Sequence, residues 1–402
     1  MRIKNTKIKI FHQIFILTVL FAPFAFATSV EAAVGDMTTY EGTGAMPVAI
    51  TFDGTNMWTA NRIGDSVTKV SPAGLMNTYG VAGNNPLDIA FDGTNIWTVG
   101  QWGYVTRLSP TGTLAHLSTG GYWGSPYGIA FDGTSMWVTD SGHHVVNKIS
   151  TGPITLFNPT GLIRTPYLTY SSPVDIAFDG TNMWVASSPS ATKISPTGDT
   201  TQYWIGGLSA AAITFDGANM WTMDDFGTVL KRISPTGSLT MYSLLPRRTT
   251  AIAFEGTNIW MVHPDENAVT RMSLTTGEQT TYTGTGATPV AIAFDGTSMW
   301  TANRDGNSVT KIQAIDTTGT ITVTSTDSSA SWTITGPSGP PITGTGLSAT
   351  YTAQPTGTYT ITWGAVSGYT APASQSFTLT SGGTISFNGT YTAATPTINV
   401  HF

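Results

Sequence analysis

The chain has 402 residues, and none of them is cysteine. A disulfide framework, thiol catalysis and thiolate-bound zinc are thereby excluded. Charge is scarce as well. Asp, Glu, Lys and Arg make up 10% of the residues, against roughly 25% in ordinary soluble domains. That neutrality does not mean disorder, because disordered chains are rich in charge and poor in aromatics. Here 12 Trp, 14 Tyr and 17 Phe accompany 44 Gly and 22 Pro, a composition of packed aromatics and many turns. After residue 30 no apolar run approaches the ~20 residues that a membrane-spanning helix needs.

The N-terminus differs from the rest. Arg2, Lys4, Lys7 and Lys9 precede an apolar stretch from Ile14 to Ala27, and small residues follow up to Ala32 and Ala33. A charged start, a short apolar core and a small-residue exit predict a secretory signal peptide over residues 1–32. The alternative is a membrane anchor. Cleavage after Ala32 would leave 13 basic and 22 acidic residues, a net charge of −9 in place of −6. An acidic chain with no basic patch is a poor partner for nucleic acid or anionic lipid. The expectation is a secreted or extracytoplasmic monomer without a membrane span.

One phrase recurs seven times, first as Ile50-Thr51-Phe52-Asp53-Gly54-Thr55-Asn56-Met57-Trp58. Its tryptophans are Trp58, Trp97, Trp137, Trp184, Trp221, Trp260 and Trp300, spaced by 39, 40, 47, 37, 39 and 40 residues. A period near forty marks a repeat architecture. Each unit reads as four short strands separated by Asp-Gly and Pro-Thr-Gly turns, which is one propeller blade. Met37-Thr38-Thr39-Tyr40 nearly duplicates Gln279-Thr280-Thr281-Tyr282, the outer strand of the sixth unit. The N-terminal segment should therefore complete the seventh blade and close the ring. The expected fold is all-β, a seven-bladed β-propeller over residues 33–313. The seven tryptophans are expected to pack between blades. The repeated acids, from Asp53 to Asp295, are expected to cap their turns.

Function should lie where the blades differ. Loops between blades, and loops between second and third strands, are expected to share one face. Candidate ligand-binding residues there are Arg62, Trp102, Trp123, His143, Tyr167, Trp204, Arg248 and Arg304. Exposed aromatics beside a few charges suit a glycan, peptide or protein. Asp88 and Asp175 replace small residues near the mouth of the channel, and with Asp225, His263 and Glu266 they are the candidates for catalysis. His143 and His144 are adjacent and would point to opposite faces of a strand, and the Asp-Gly turns fit no calcium-loop spacing. Neither a metal nor a cofactor is expected.

The pattern Pro-x-x-Ile-Ala-Phe-Asp-Gly-Thr-Asn-x-Trp, followed by Val-Thr-Lys-Ile-Ser-Pro-Thr-Gly, resembles the virginiamycin B lyase (streptogramin lyase) type of seven-bladed propeller. It is also similar to the YVTN and NHL repeat groups. The resemblance covers about residues 37–313. It implies a magnesium-dependent lyase with a histidine directly after the inner-strand proline and a glutamate four residues after a blade tryptophan. In this sequence Val48, Leu87, Tyr127, Val174 and Val290 follow the proline, and Asp225 is the nearest substitute at the second position. Two readings follow: a non-catalytic binding propeller, or a propeller lyase or hydrolase with its site at the channel mouth.

Composition changes after Lys311. Residues 317–402 hold 24 Thr, no Lys or Arg, and a single acid, Asp327. Alternating runs such as Ser331-Trp332-Thr333-Ile334-Thr335 predict a small β-sandwich over residues 319–394. Residues 314–318 are expected as linker and 395–402 as tail. Pro355-Thr356-Gly357-Thr358-Tyr359 and Gly382-Gly383-Thr384-Ile385 resemble PEGA-type domains, which implies a surface-associated spacer or adhesion unit.

Overall fold

The computed structural model describes all residues except 1–32, 82–84, 119–123, 152–163, 170–171, 188, 207–209, 225, 228, 245–246, 316–317, 338–339 and 395–402. The expected signal peptide and tail, and the candidates Trp123 and Asp225, lie outside the described residues. The described chain is all-β and forms no α-helix; no described helix is long and apolar enough to cross a membrane. It divides into two compact units, one holding Ala32–Thr320 with Thr380–Thr384, the other Ile321–Leu379 with the described part of Ile385–Phe402.

The first unit contains seven four-stranded antiparallel sheets, here called blades. Blades 1 to 6 span residues 47–80, 86–118, 126–168, 173–204, 210–243 and 252–283. Blade 7 joins Pro289–Phe294, Ser298–Asn303 and Ser308–Gln313 to Met37–Glu41 from the N-terminus. Each inner strand contacts the inner strands of both neighbours, and blade 7 contacts blade 1, so the ring is closed. Met37 pairs with Ile312, Thr39 with Thr310 and Glu41 with Ser308. Without this strand, the third strand of blade 7 would present unpaired backbone groups.

The second strands show why the ring needs tryptophan. All five residues of Met57–Asn61 are buried, and the same holds for Ile96–Gly100 and Met183–Ser187. A strand sandwiched between neighbouring blades buries both faces. One face of blade 1 carries Trp58, Ala60 and Val67, which pack against Ile89, Ile96 and Leu108 of blade 2. The indole N–H then needs an acceptor inside the interface. Asp53, Asp92, Asp132, Asp179, Asp216 and Asp295 each accept it at 2.6 or 2.7 Å. The other oxygen of the same carboxylate caps the turn, as when Asp53 accepts the backbone N–H groups of Thr55 and Asn56. Blade 6 departs from this pattern. Its acid is Glu255, which bonds Thr257 and Asn258, and the N–H of Trp260 has no partner among the described residues.

In every blade but the second, whose outer strand Leu114–Ser118 has no tyrosine, a tyrosine of the outer strand lies against the blade tryptophan, as in Trp58–Tyr79 and Trp184–Tyr203 at 5.7 and 5.1 Å between centroids. In blade 7 the partner is Tyr40, so the closing strand also supplies the stacking ring. A cation on the third strand lies against the same indole, such as Lys148 at 4.9 Å from Trp137.

In the second unit a four-stranded sheet, ordered Ile342–Thr345, Ser331–Thr335, Gly357–Trp363 and Gln375–Leu379, shares a core with a three-stranded sheet of Ser348–Pro355, Thr318–Ser325 and Thr384–Gly389. Ile321, Val323, Trp332, Ile334, Tyr359, Ile361, Trp363 and Phe387 fill that core. These strands bury one face only, so their sequences alternate cleanly.

Candidate functional site

The antiparallel order of each blade places the start of the inner strand, the loop between second and third strands, and the end of the outer strand on one face. Trp102 lies in such a loop of blade 2 and is 63% exposed. Trp204 ends the outer strand of blade 4 and is 72% exposed. Tyr104, Tyr127, Leu168, Phe226 and Ile63 are also exposed on this face. Of these, Tyr127 had a readable signal, because it interrupts the Val and Leu that otherwise follow the inner-strand proline. Leu168 and Ile63 had none, being ordinary residues in strand-end and loop positions.

Tyr167 belongs elsewhere, and its reading as a loop residue is corrected. It sits within the outer strand Arg164–Leu168 and stacks on Trp137 at 5.1 Å. The loop reading failed because the stretch before it in blade 3 is longer than in other blades, so the outer strand begins late. Arg62 donates to Gln101 at 3.1 Å and bridges the loops of blades 1 and 2. Arg304 is paired with Asp305, whose carboxyl is held down at about 2 by that bond and by Thr288. Arg248 lies 3.6 Å from Asp265, and Arg247 2.6 Å from Glu266.

Those pairs separate the acid–base set expected in blade 6. His263 is buried, with Nε2 at 2.8 Å from the Thr270 hydroxyl and Nδ1 at 3.2 Å from that of Thr249. Burial lowers its pKa, partly offset by the Arg248 carbonyl. Glu266 and Asp265 sit on the turn Pro264–Glu266 and pair with arginines. The histidine ends a second strand, where blades 1 and 7 place Asn61 and Asn303, so its side chain enters the blade interior.

The same strand position in blade 3 holds Asp140, which sequence reasoning missed. Its buried carboxylate accepts backbone N–H groups from Gly124, Ser125 and Gly142 and lies 2.8 Å from His143 Nδ1. Burial alone would raise its pKa, but His143 and the backbone donors hold it low. The result orients a half-exposed imidazole on the loop face.

Asp88 and Asp175 lie on the inner strands of blades 2 and 4, either side of Gly128 in blade 3. Each carboxylate spans a blade junction. Asp88 accepts the N–H of Ile89 in its own strand and of Ile129 in blade 3, both at 2.8 Å. Asp175 does the same with Ile176 and with Ile213 in blade 5. Both keep some solvent contact along the ring, yet protein surrounds them, and that enclosure penalises their charge. Burial, then the charge of Asp175, pushes Asp88 up to about 7; burial pushes Asp175 up to about 6. Both carboxyls are thereby shifted from the ordinary carboxylate range towards neutrality. No described histidine is placed against it by any hydrogen bond. The described residues hold no cluster of three or more His, Asp or Glu placed for a metal ion.

The ring, its closure and its single loop face define a β-propeller with a variable face. Among solved structures the chain is similar to a streptogramin B lyase, with a TM-score of 0.61 and 19% identity over 69% of this chain and 97% of that one. It is also similar to a catalytically inactive virginiamycin B lyase from Staphylococcus aureus with quinupristin, at 0.61 and 17% over 70% and 99%. U3-55K matches at 0.59 and 12% over 69% and 98%. Likeness at this identity carries the fold alone. A scan against family models and a search of curated proteins returned no match.

Proposed function

We propose that the protein is a secreted, monomeric propeller scaffold that binds a glycan, peptide or protein through the loop face of blades 1 to 5. One observation carries this reading. Among the described residues of the propeller nine large hydrophobic ones are exposed, and seven of them, Ile63, Trp102, Tyr104, Tyr127, Leu168, Trp204 and Phe226, lie on that face. Apolar surface gathered on one side marks interaction sites more often than chance exposure does. Arg62, Arg248 and His143 supply polar groups among them. The N-terminal sequence supports secretion, and the surface-spacer role suggested by the PEGA-like C-terminal pattern fits it. Glycan and peptide arrays test the proposal: specific hits should disappear in a Trp102→Ala/Trp204→Ala variant that melts like the parent. Hits unchanged by that variant would overturn it.

A second reading is favoured by the Asp88–Asp175 pair, whose raised pKa values suit proton transfer. On that reading the protein is a lyase or hydrolase, and Asp88→Asn abolishes turnover while leaving array binding intact.

A further inference from the structure

The outer face of the four-stranded sheet in the C-terminal unit is built almost wholly of hydroxyl groups. Ser331, Thr333 and Thr335 alternate with the buried Trp332 and Ile334. The register sets Thr343, Thr333 and Thr362 in one row across three strands, and Thr335, Thr360 and Ser376 in the next. Rows of this kind repeat about every 6.7 Å along a strand and about 4.8 Å across strands. At one edge the hydroxyls bond each other, Thr358 to Thr378 at 3.1 Å and Thr360 to Ser376 at 2.9 Å.

The other half of the face is different. An open depression of about 770 Å³ lies over Ser331, Thr333, Thr343, Thr345 and Thr362. The hydroxyls of Thr333, Thr343, Thr345 and Thr362 have no hydrogen-bond partner among the described residues. Donors and acceptors are thus presented together, on β-branched side chains that lose little rotamer freedom when bound.

We propose that this face docks an uncharged, hydroxyl-rich polysaccharide. Charge selects the occupant. Residues 317–402 contain no Lys or Arg and only Asp327, so an ionic polymer gains no attraction here. An apolar partner would leave the free hydroxyls unsatisfied. A peptide strand would add to a sheet edge through its backbone, not to this face. A single hydroxyl–hydroxyl bond gains little against water, so binding needs many at once, which a repeating neutral polymer supplies.

The test is retention of the full chain on microcrystalline cellulose, chitin and insoluble starch, at low salt and at about 1 M NaCl. At least one polymer should retain the protein equally at both salt concentrations. Thr333→Val/Thr343→Val/Thr362→Val keeps the β-branched shape and removes three hydroxyls. It should weaken retention about tenfold or more at unchanged melting temperature. Trp102→Ala/Trp204→Ala should leave retention as it was, which separates this surface from the propeller face. No retention on any of the three polymers would overturn the proposal. So would equal or stronger retention of the valine variant, or loss of retention in salt.

Discussion

The two units solve the same problem, covering a β-sheet, in opposite ways. A propeller blade is covered on both faces by its neighbours, so the second strand Met57–Asn61 is buried throughout. A sheet of the C-terminal unit is covered on one face, so Ser331–Thr335 alternates between exposed and buried. Polar groups follow from that difference. The propeller carries its charges into the blade interfaces and satisfies them there, as Asp132 does with Trp137 and Lys148. The C-terminal unit keeps its core free of charge and turns hydroxyls outward. Stability of the propeller should therefore respond to pH and to single buried acids, and stability of the C-terminal unit should not.

The largest expected effect is on ring closure. Deleting residues 33–42 removes the strand paired to Ser308–Gln313 and the ring of Tyr40 on Trp300. The propeller transition should fall by on the order of 10 °C or more in calorimetry. An unchanged melting temperature would show that the closing strand contributes nothing.

Truncating one interface tryptophan comes next. Trp184→Ala should cost about 3–5 kcal/mol by denaturant titration. Its neighbours Met220 and Ile233 belong to the adjacent blade, so the loss would open a blade junction and not one sheet alone.

A pH series contrasts the units directly. Asp88 and Asp175 have folded pKa values raised to about 7 and about 6. A raised carboxylate contributes stability that is full below about pH 4, its unfolded value, and is lost as pH rises through the folded value. The acids bonded to tryptophan act oppositely. Asp132, held at about 2 by the Trp137 N–H and other donors that outweigh its burial, contributes stability above about pH 4 that is lost as pH falls towards 2. The propeller melting temperature should therefore peak near about pH 4, decline as pH rises through about 6 and 7, and be lower on the order of 5 °C by pH 8. Asp88→Asn should flatten the alkaline limb. A transition with the same pH profile in the variant would contradict the assignment.

The smallest effect concerns blade 6. Glu255→Asp should bring a carboxylate within reach of the orphaned Trp260 N–H and stabilise by about 1 kcal/mol. The reverse change in blade 2, Asp92→Glu, should destabilise by about 1–3 kcal/mol because it leaves Trp97 unpaired.

Much of the fold was legible in the sequence because a repeat states its own period. The Trp spacing, the Asp-Gly turns and the duplicated Thr-Thr-Tyr segment each survive as observed elements, including the pairing of Met37–Glu41 with blade 7. The loop face was less legible. Trp102 and Trp204 stood out by type, but Tyr167 resembled them and proved to be the stacking ring of its own blade. His263 resembled a base beside two acids, yet strand alternation turned it inward and arginines took the acids outward. Residue type signals chemistry, whereas the phase of a strand decides which side receives it.

The sequence alone determined the number of repeated units, the residues that recur in them, and the division between a charged repeat region and a neutral Thr-rich one. Those depend on local pattern, and local pattern is written in the chain. Only the tertiary structure decided that each repeated Asp serves a tryptophan as well as a turn, and that Asp88 and Asp175 bridge neighbouring blades on either side of Gly128. It also decided that the threonines of four strands fall into register on one face. Each of these joins groups far apart in the chain through a shared interface or ladder. Such distances are set by packing and strand register, which no spacing along the sequence encodes.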